Sequence, residues 1–402
     1  MKQLPFIPII VGTDINAYNM AISFHEAYGV KPILIGKMQM GFTNLSSVME
    51  RIEIHPDLTE NFVPVLTKLA EKLQTDGKKL LLVGTNDAYV RLMIENEQEL
   101  KRHYVFHSIG EPLMNQLQNK ANFYPLCDAH GIETPKTFIY DCANPVPFNE
   151  PMTYPVIIKP SNGIEYYANS FPGQKKVYRV ETEEEAKGVI DKITESGYRD
   201  ELIIQDFIPG DDTYMWDSVV YINSRGKTEL VTFGQVVLQE HTATAIGNYT
   251  AVISRYHEEM MQKLQQFLES VGYVGFANFD MKYDERDGKF KVFEVNIRQG
   301  RSSYYVTALG HNMASYLVED LIEGKDKPLT YLDEEFLFSV VPKAVLRKFV
   351  DNKDVRQDVK RLIKQGRWGN PLFYKNDKSL KRKLYLLLRQ INYYRKYKNN
   401  SW

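Results

Sequence analysis

The 402-residue sequence has little cysteine: only Cys127 and Cys142 are present, and their spacing matches no metal-binding motif. This scarcity excludes a disulfide-rich secreted scaffold and agrees with reduced thiols in a cytoplasmic protein. No apolar run approaches the roughly 18 residues that a membrane-spanning helix requires. Residues 1–8 lack a basic segment followed by an apolar run, so we expect no secretion signal.

The sequence also has almost no net charge, −1 overall, but its charges are unevenly distributed. Residues 343–402 contain 18 Lys and Arg against 4 Asp, so the remainder of the chain is acidic. A basic tail on an acidic body usually meets an anionic surface or ligand. The apolar content of 43% and charged content of 25% are typical of a globular protein with two or three domains.

The first 115 residues alternate between predicted strands and helices. The strands are expected at residues 6–11, 32–36 and 80–83, and the helices at residues 17–28 and 63–73. This alternation predicts a parallel α/β domain over residues 1–115. The segment contains no GxGxxG motif, so we do not predict a dinucleotide site there.

The middle of the chain has a different pattern, with a long helix followed by mostly extended segments. We predict helices at residues 113–130, 182–196 and 257–271, and strands at residues 155–160, 176–179, 202–208, 215–222 and 229–238. A polar loop is expected at residues 161–173. The apolar residues of the last helix recur at helical spacing, which predicts one buried face.

Residues 275–303 show the clearest pattern, two alternating segments that flank an Asp-Gly turn at 287–288. Period-two alternation around such a turn predicts a β-hairpin. The apolar residues of each strand point to one side. Asp280 on the first strand, and Glu294 and Asn296 on the second, point to the other side.

The register of this hairpin decides whether its acids meet. A two-residue turn at 287–288 would place Asp280 opposite Val295. A three-residue loop that begins at Arg286 would place Asp280 opposite Glu294, with Cβ atoms about 5 Å apart. Two carboxylates this close repel each other unless a cation lies between them, and Mg²⁺ accepts such ligands. We therefore predict the three-residue loop and a metal site; the alternative is an ordinary solvated face.

Four separated features together resemble the ATP-grasp fold. They are Lys120, the strand-ending Lys159-Pro160, the apolar strand and acidic turn of residues 205–212, and the paired strands with Asp280, Glu294 and Asn296. In finer detail the chain resembles the D-aspartate ligases that build the peptidoglycan cross-bridge. The stretches that carry this likeness are QDFIPGDD (205–212), TAIGNY (244–249), VGFANFDMKYD (274–284), RQGRSS (298–303) and residues 373–382.

The resemblance implies roles for individual residues. Lys120 and Lys159 would bind the phosphates of ATP, Gln205 and Ile208 the adenine, Asp211 or Asp212 the ribose, and Asp280, Glu294 and Asn296 two magnesium ions. Arg298, Arg301 and Lys159 would act on the reacting carboxylate and phosphoryl group. The chain departs from many family members in carrying Gln205 where they have glutamate, and in a covering loop with fewer glycines.

The resemblance also implies the architecture, an α/β (α+β) ATP-grasp fold. The ATP-grasp domain would span residues 116–330, with a small half at 133–208 and a large half at 209–330. The parallel α/β domain would precede it, and a basic helical extension over residues 331–402 would follow.

The implied reaction activates the β-carboxylate of D-aspartate with ATP and joins it to the stem-peptide lysine of a peptidoglycan precursor. No nucleic-acid partner is implied. The enantiomer, the carrier of the acceptor and the oligomeric state stay open. One alternative is a ligase for another amino acid and a peptide or amine. An alternative of another class is a non-catalytic nucleotide-binding module.

The tail from residue 374 onward interleaves lysine and arginine with tyrosine and leucine. Interfacial helices combine basic and apolar faces in this way. We expect a helix with weak, salt-sensitive contact to the inner membrane face or to a diphosphate-bearing precursor. The alternative is a helix docked on the body of the protein with a solvated basic face.

Overall fold

The computed structural model describes residues 4–73, 77–161, 163–242 and 247–399. Its first part is a five-stranded parallel sheet in the order β3-β2-β1-β4-β5, flanked by helices. The elements are β1 (Phe6–Val11), α1 (Ile15–Tyr28), β2 (Ile33–Gly36), β3 (Arg51–Ile54), α2 (Phe62–Leu73), β4 (Lys79–Gly84), α3 (Asp87–Glu95), α4 (Glu97–Leu100) and β5 (Tyr104–Val105). The predicted parallel α/β arrangement is confirmed. The short elements β3, α4 and β5 were not predicted.

Helix α1 shows why the chain turns where it does. Asp14 precedes the helix and its carboxylate accepts a hydrogen bond from the Ala17 backbone N–H at 3.0 Å, which satisfies a donor that the first turn leaves free. Gly29 ends the helix with φ of 66°, a left-handed conformation that glycine adopts without strain. Because α1 follows β1 directly, Asp14 lies at the carboxyl edge of the parallel sheet.

The single helix predicted at residues 113–130 is wrong: the chain forms α5 (Gly110–Gln118) and α6 (Lys120–Ala129). Asn119 interrupts them with an extended ψ of 119°, and its side chain accepts a hydrogen bond from the Ala121 N–H at 2.8 Å. Asparagine competes for backbone hydrogen bonds in this way and therefore favours a helix start over a helix interior. The break makes Lys120 the first residue of α6.

A four-stranded antiparallel sheet, which we call the small sheet, follows in the order β6-β9-β7-β8. Its elements are β6 (Thr137–Asp141), β7 (Val156–Pro160), α7 (Gly163–Ala168), β8 (Tyr178–Val180), α8 (Glu183–Glu195) and β9 (Glu201–Asp206). The loop predicted at residues 161–173 thus contains a short helix, α7. Apolar residues of α8 and the sheet, among them Ile190 and Ile204, form a separate core.

The remaining strands form a nine-stranded, mostly antiparallel sheet, which we call the large sheet. Its main path runs β15-β14-β10-β12-β13-β17-β18, and β11 and β16 pair beside β10. The elements are β10 (Met215–Ile222), β11 (Thr228–Val231), β12 (Phe233–Gln239), β13 (Tyr249–Arg255), α9 (Glu258–Ser270), β14 (Gly275–Asp284), β15 (Lys289–Asn296), α10 (Tyr304–Ala308), α11 (Met313–Leu321), β16 (Thr330–Tyr331), β17 (Leu337–Ser339), α12 (Lys343–Phe349), α13 (Lys353–Lys364), β18 (Trp368–Gly369) and α14 (Leu380–Asn399). Short 3₁₀ helices lie at Asp212–Tyr214 and Pro371–Phe373.

The long strand predicted at residues 229–238 is divided at Thr232 into β11 and β12. Thr232 exchanges hydrogen bonds with Val219: its N–H donates to the Val219 carbonyl, and its hydroxyl accepts from the Val219 N–H, both at 2.9 Å. The side chain therefore replaces one link of the ladder with β10. A pattern of alternating side chains does not reveal where a side-chain hydrogen bond takes the place of a backbone one.

Residues 331–399 are not exclusively helical. Strand β17 pairs with β13, and β18 pairs with β17, so this segment completes one edge of the large sheet. Within the described residues, no helix combines the length and the apolar character needed to cross a bilayer.

Candidate functional site

The hairpin of β14 and β15 has the predicted pairing, with Asp280 opposite Glu294. The predicted three-residue loop is wrong, because Asp284 pairs with Lys289 and four residues lie between them. A β-bulge at Phe293 restores the register by adding one residue to β15. The bulge is supported from outside the hairpin.

Two groups from neighbouring segments hold the bulge. The Tyr124 hydroxyl donates to the Phe293 carbonyl at 3.2 Å, and the Val292 N–H donates to the Glu133 carbonyl at 2.8 Å. Both partners belong to α6 or the segment that follows it. The helix that carries Lys120 therefore also fixes the register of the hairpin.

The facing carboxylates have opposite pKa shifts. Burial and the neighbouring Glu294 raise the pKa of Asp280, while the Lys120 ammonium, 2.9 Å from Glu294, holds the pKa of Glu294 below its usual range. The Asn296 amide donates to Asp280 at 2.9 Å. Burying a carboxylate beside a second carboxylate costs free energy that a bound cation would offset.

The donor set fits the predicted magnesium site. Asp280, Glu294 and Asn296 offer two carboxylates and one amide oxygen, the hard ligands that Mg²⁺ accepts together with water and phosphate. Among the described residues, no three His, Cys, Asp or Glu side chains gather as a metal cluster. A site of this kind would therefore depend on a bound phosphate for its remaining ligands.

The two predicted phosphate lysines meet at the same place. Lys120 reaches Glu294 from α6, and Lys159 reaches the Gln205 side-chain oxygen at 3.5 Å from the end of β7. Burial lowers the pKa of Lys120, but Glu294 and the other negative groups nearby together have a larger, opposite effect. The pKa of Lys120 is therefore raised above its usual value. Burial and the charge of Lys120 lower the pKa of Lys159 to about 7. Two adjacent ammonium groups form a site for an anion.

Gln205 is buried and connects the small sheet with α6. Its amide donates to the Tyr124 hydroxyl at 2.9 Å and to the Thr137 hydroxyl at 2.8 Å. Because Tyr124 also supports the bulge, one chain of hydrogen bonds runs from β9 to β15. The Ile208 side chain is buried two residues after β9, so Gln205 and Ile208 lie at the same end of the small sheet. Their predicted contact with adenine stays a prediction.

The two acids predicted for ribose have different surroundings. Asp211 accepts from the Thr213 N–H and hydroxyl at 2.8 and 2.6 Å, so it caps the short 3₁₀ helix. Asp212 accepts from the Gln239 side chain at 2.8 Å and from an imidazole N–H of His241 at 2.8 Å. Asp212 thus faces the end of β12, and His241 is its neighbour.

The loop after β15 carries both predicted arginines. Arg298 donates to Asp87 at 2.8 Å and to the Asn296 side-chain oxygen at 3.1 Å, so it lies beside the metal ligands. The Nε of Arg301 is buried and has no hydrogen-bond partner among the described residues. A guanidinium with an unused buried donor is suited to hold a carboxylate or phosphoryl oxygen.

Residues of the first part of the chain complete the site, and the sequence did not identify them. The Asn16 amide donates to the Gln299 carbonyl and the Asn19 amide to the Arg301 carbonyl, both at 2.8 Å. Burial raises the pKa of Asp14. The hydrogen bond from the Ala17 N–H and the positive charges of Arg301 and Arg298 lower it, but by less. Asp14 is therefore an acid beside the two arginines. The available signal was its position after β1, at the carboxyl edge of the parallel sheet.

Asp217 was also missed, although it is polar in an apolar strand. It lies across from Asp280 on β10, is completely buried, and accepts from the Ser302 hydroxyl at 2.6 Å. Burial raises its pKa to about 7. Gly300 lets the same loop pass close to the sheet, since a Cβ there would lie 2.8 Å from the Asn278 side-chain oxygen. Together these contacts fix the loop that carries the arginines.

Part of the TAIGNY stretch, residues 244–246, lies outside the described residues. The part that is described includes Tyr249 at the start of β13, which is buried. The Asp280 charge adds to burial in raising the pKa of Tyr249.

Comparison with known proteins agrees with this arrangement. A family profile for the ATP-grasp domain matches residues 117–302, which include both lysines, the hairpin and both arginines. The structure is similar to N5-carboxyaminoimidazole ribonucleotide synthetase in an ADP complex, with a TM-score of 0.60, 15% identity, and coverage of 91% of this chain and 98% of that chain. It is also similar to an L-amino acid ligase from Bacillus licheniformis, with a TM-score of 0.56, 18% identity, and coverage of 81% and 78%. The fold and the site thus define the ATP-grasp class.

A curated relative extends the comparison to the whole chain. D-aspartate ligase from Enterococcus faecium (strain Aus0004) is 36% identical over 405 residues, covering 98% of this chain and 96% of the relative. The chain therefore belongs to the ATP-grasp family of ATP-dependent carboxylate–amine ligases, and it resembles D-aspartate ligase. This result favours an enzyme over the non-catalytic nucleotide-binding module.

Proposed function

We propose that the chain joins D-aspartate to a peptidoglycan precursor in the cytoplasm, at the expense of ATP. The acceptor would be the ε-amine of the stem-peptide lysine in a UDP-linked or lipid-linked precursor. The observation that carries this choice of substrates is the similarity to D-aspartate ligase over 98% of the chain.

The reaction would proceed in two steps. A β-carboxylate oxygen attacks the γ-phosphorus of ATP, the bond to the β-phosphate oxygen breaks, and ADP leaves. The lysine amine then attacks the acyl carbon of the acyl phosphate, the carbon–oxygen bond to phosphate breaks, and the nitrogen loses a proton. Activation is needed because an oxide ion is a poor leaving group, whereas phosphate is a good one.

The residues of the site suit the first step. Lys120 and Lys159 would bind the phosphates, whose negative charge would offset the repulsion between the two ammonium groups. Asp280, Glu294 and Asn296 would hold magnesium, which supplies charge neutralisation for the phosphoryl group when it is bound. Catalysis would thus depend on positioning and on charge, with no protein nucleophile.

The donor amino acid would lie between the arginines and Asp14. Aspartate carries two carboxylates and one ammonium, and the free buried Nε of Arg301 supports a carboxylate contact. Arg298 would bind the other carboxylate. Asp14, whose pKa the two arginines influence, would accept the ammonium. A buried carboxylate that pairs with one ammonium position discriminates strongly against the mirror image.

A hydroxylamine-trapping assay tests the proposal. The full chain is incubated with ATP, magnesium, hydroxylamine and either D- or L-aspartate, and the aspartyl hydroxamate is measured. We expect hydroxamate from D-aspartate well above that from L-aspartate, and an amide product when a UDP-linked stem peptide replaces hydroxylamine. Equal yields from the two enantiomers, or a higher yield from another amino acid, would contradict the proposed donor.

The variant Asp14→Asn tests the ammonium contact. Asparagine caps a helix about as well as aspartate, so α1 should be preserved while the charge is lost. We expect the preference for D- over L-aspartate to fall by roughly tenfold or more, with nucleotide affinity unchanged. An unchanged preference would exclude Asp14 as the partner of the ammonium.

A further inference from the structure

Helix α14 (Leu380–Asn399) is docked on the protein by one face. The residues of this face are largely buried and recur at helical spacing: Arg382, Leu386, Tyr393 and Tyr397. The Tyr397 hydroxyl contacts the Thr250 hydroxyl and the Gln239 carbonyl, each at 2.6 Å. Arg382 forms an ion pair with Asp377 at 3.0 Å and its guanidinium lies 4.1 Å from the Tyr18 ring. The orientation of the helix is therefore fixed.

The opposite face of α14 exposes an apolar stripe. Its members are Leu380 (77% exposed), Leu384 (63%), Leu387 (55%), Leu388 (61%) and Ile391 (55%). Spacings of four, seven, eight and eleven residues from the first place all five on one side of the helix. Single exposed leucines are ordinary, but a contiguous apolar row on a fixed helix indicates an interaction surface.

The charges around this stripe have one sign. Helix α14 contains seven Lys and Arg residues and no Asp or Glu. By helical geometry Lys381 and Lys383 lie at the two edges of the stripe. Arg395 and Lys398 lie on the same side of the helix as the stripe, beyond its C-terminal end. All four are exposed. The surface therefore combines an apolar centre with a basic rim.

We infer that this face of α14 lies on an anionic lipid bilayer. Such a bilayer offers an apolar layer for the leucines beneath a negatively charged surface for the lysines, the combination that interfacial helices use. A second copy of the chain fits less well, because it would bring a second set of the same positive charges against the first. The inference does not depend on the identity of the amino-acid donor.

Binding in this orientation would also set the distance of the site from the membrane. Tyr397 donates to the Gln239 carbonyl, and the Gln239 side chain donates to Asp212 at 2.8 Å, so α14 contacts the strand beside the proposed ribose acids. Because Tyr397 lies on the docked face, this strand would lie about one helix diameter, roughly 10 Å, from the lipid surface.

Vesicle flotation tests the inference with the full chain. Vesicles of equal parts phosphatidylglycerol and phosphatidylcholine are compared with vesicles of phosphatidylcholine alone, at low and high salt. We expect binding to the anionic vesicles that weakens with salt. The triple variant Leu384→Ser, Leu387→Ser, Leu388→Ser should bind roughly tenfold or more weakly. The double variant Lys381→Glu, Lys383→Glu should lose the preference for anionic lipid.

A matched control replaces exposed apolar residues elsewhere, with Met38→Ser, Val146→Ser and Leu329→Ser, and should bind as the unaltered chain does. Phosphate release with soluble substrates should be equal in all variants, since none of these side chains lies in the site. Binding that the leucine variant retains, equal binding to neutral vesicles, or no binding would overturn the inference. A dimer that the leucine substitutions abolish, without vesicle binding, would assign the stripe to a second copy.

Discussion

The two walls of the site carry charges of opposite sign, and each wall contains one group whose charged form is disfavoured. On the small sheet, burial and Lys120 lower the pKa of Lys159 to about 7. On the large sheet, burial and Glu294 raise the pKa of Asp280. Phosphates would relieve the first group and a cation would relieve the second. The magnesium–nucleotide complex that we propose for this site contains both of these charges.

The largest expected effect is on the acidic wall. We expect Asp280→Asn and Glu294→Gln each to lower turnover by roughly a thousandfold, because one metal ligand loses its charge. Their effects on stability should differ. Without magnesium, Asp280→Asn should raise the melting temperature, since it removes a carboxylate that burial disfavours. Glu294→Gln should lower it, since Lys120 loses its partner at 2.9 Å.

The size of each stability effect depends on pH. Because the folded protein raises the pKa of Asp280, ionisation of this carboxyl group destabilises the fold once the pH exceeds the pKa that the group has in the unfolded chain. The stability gained by Asp280→Asn should therefore grow from pH 4 upward. The lowered pKa of Glu294 means that its contribution is lost as pH falls through the acid range. The control Asp287→Asn changes an exposed acid in the same hairpin and should leave turnover intact. Near-normal turnover in both test variants would exclude the metal assignment.

A smaller effect is expected on the basic wall. Lys159→Met should weaken nucleotide binding by roughly a hundredfold because one charge of the phosphate site is lost. In the unaltered protein, phosphates should raise the pKa of Lys159 from about 7, so binding takes up a proton. Affinity should then fall as pH rises above 7. Calorimetry in buffers of different ionisation enthalpy measures this uptake.

The matched variant Lys159→Arg keeps the charge at every pH, since arginine does not titrate in this range. It should retain more affinity than Lys159→Met and lose the proton uptake. Binding heats that are independent of the buffer between pH 7 and 8 in the unaltered protein would show that Lys159 is already charged.

The smallest effect concerns the link between the walls. Tyr124→Phe removes the hydrogen bonds from Gln205 and to Phe293, which should cost about 1 kcal/mol of stability. It should also lower activity a few-fold by loosening the bulge. Tyr140→Phe is a suitable control, because it removes one hydrogen bond, to the Val146 carbonyl, on the far side of the small sheet. Equal activity losses in the two variants would show that the link has no special role.

The sequence predicted the pairing of Asp280 with Glu294 because alternation defines which residues share a face of a hairpin. It could not predict the bulge at Phe293, since the supporting groups, Tyr124 and the Glu133 carbonyl, come from distant positions in the chain. The loop is one residue longer than predicted, and the bulge adds one residue to β15. The two differences offset each other, so the predicted pair is still formed. The fold class was predictable because its motifs occur in a fixed order. The phosphate-binding role of the two lysines stays a prediction.

Other parts of the site could not be predicted for a related reason. Asp14 approaches the arginines only through the packing of the parallel sheet against the loop after β15, and that packing has no local signature. Asp217 belongs to the site only because β10 pairs with β14 and places Asp217 opposite Asp280, and this pairing joins strands that are distant in the sequence. For α14, the sequence left open a docked helix or an interfacial one. The structure shows that one face is docked and that the opposite, apolar face is exposed. Contact of the exposed face with a bilayer is our inference.

The docking of α14 has a consequence for how the protein unfolds. Near its start, Arg382 donates to the Phe42 carbonyl and pairs with Asp377, which accepts from the Ser47 N–H at 3.0 Å. Near its end, Tyr397 is bonded to the large sheet. One helix therefore fastens the first part of the chain to the large sheet, while the small sheet has its own core. We expect two cooperative transitions on heating, one for the small sheet and one that the parallel and large sheets share.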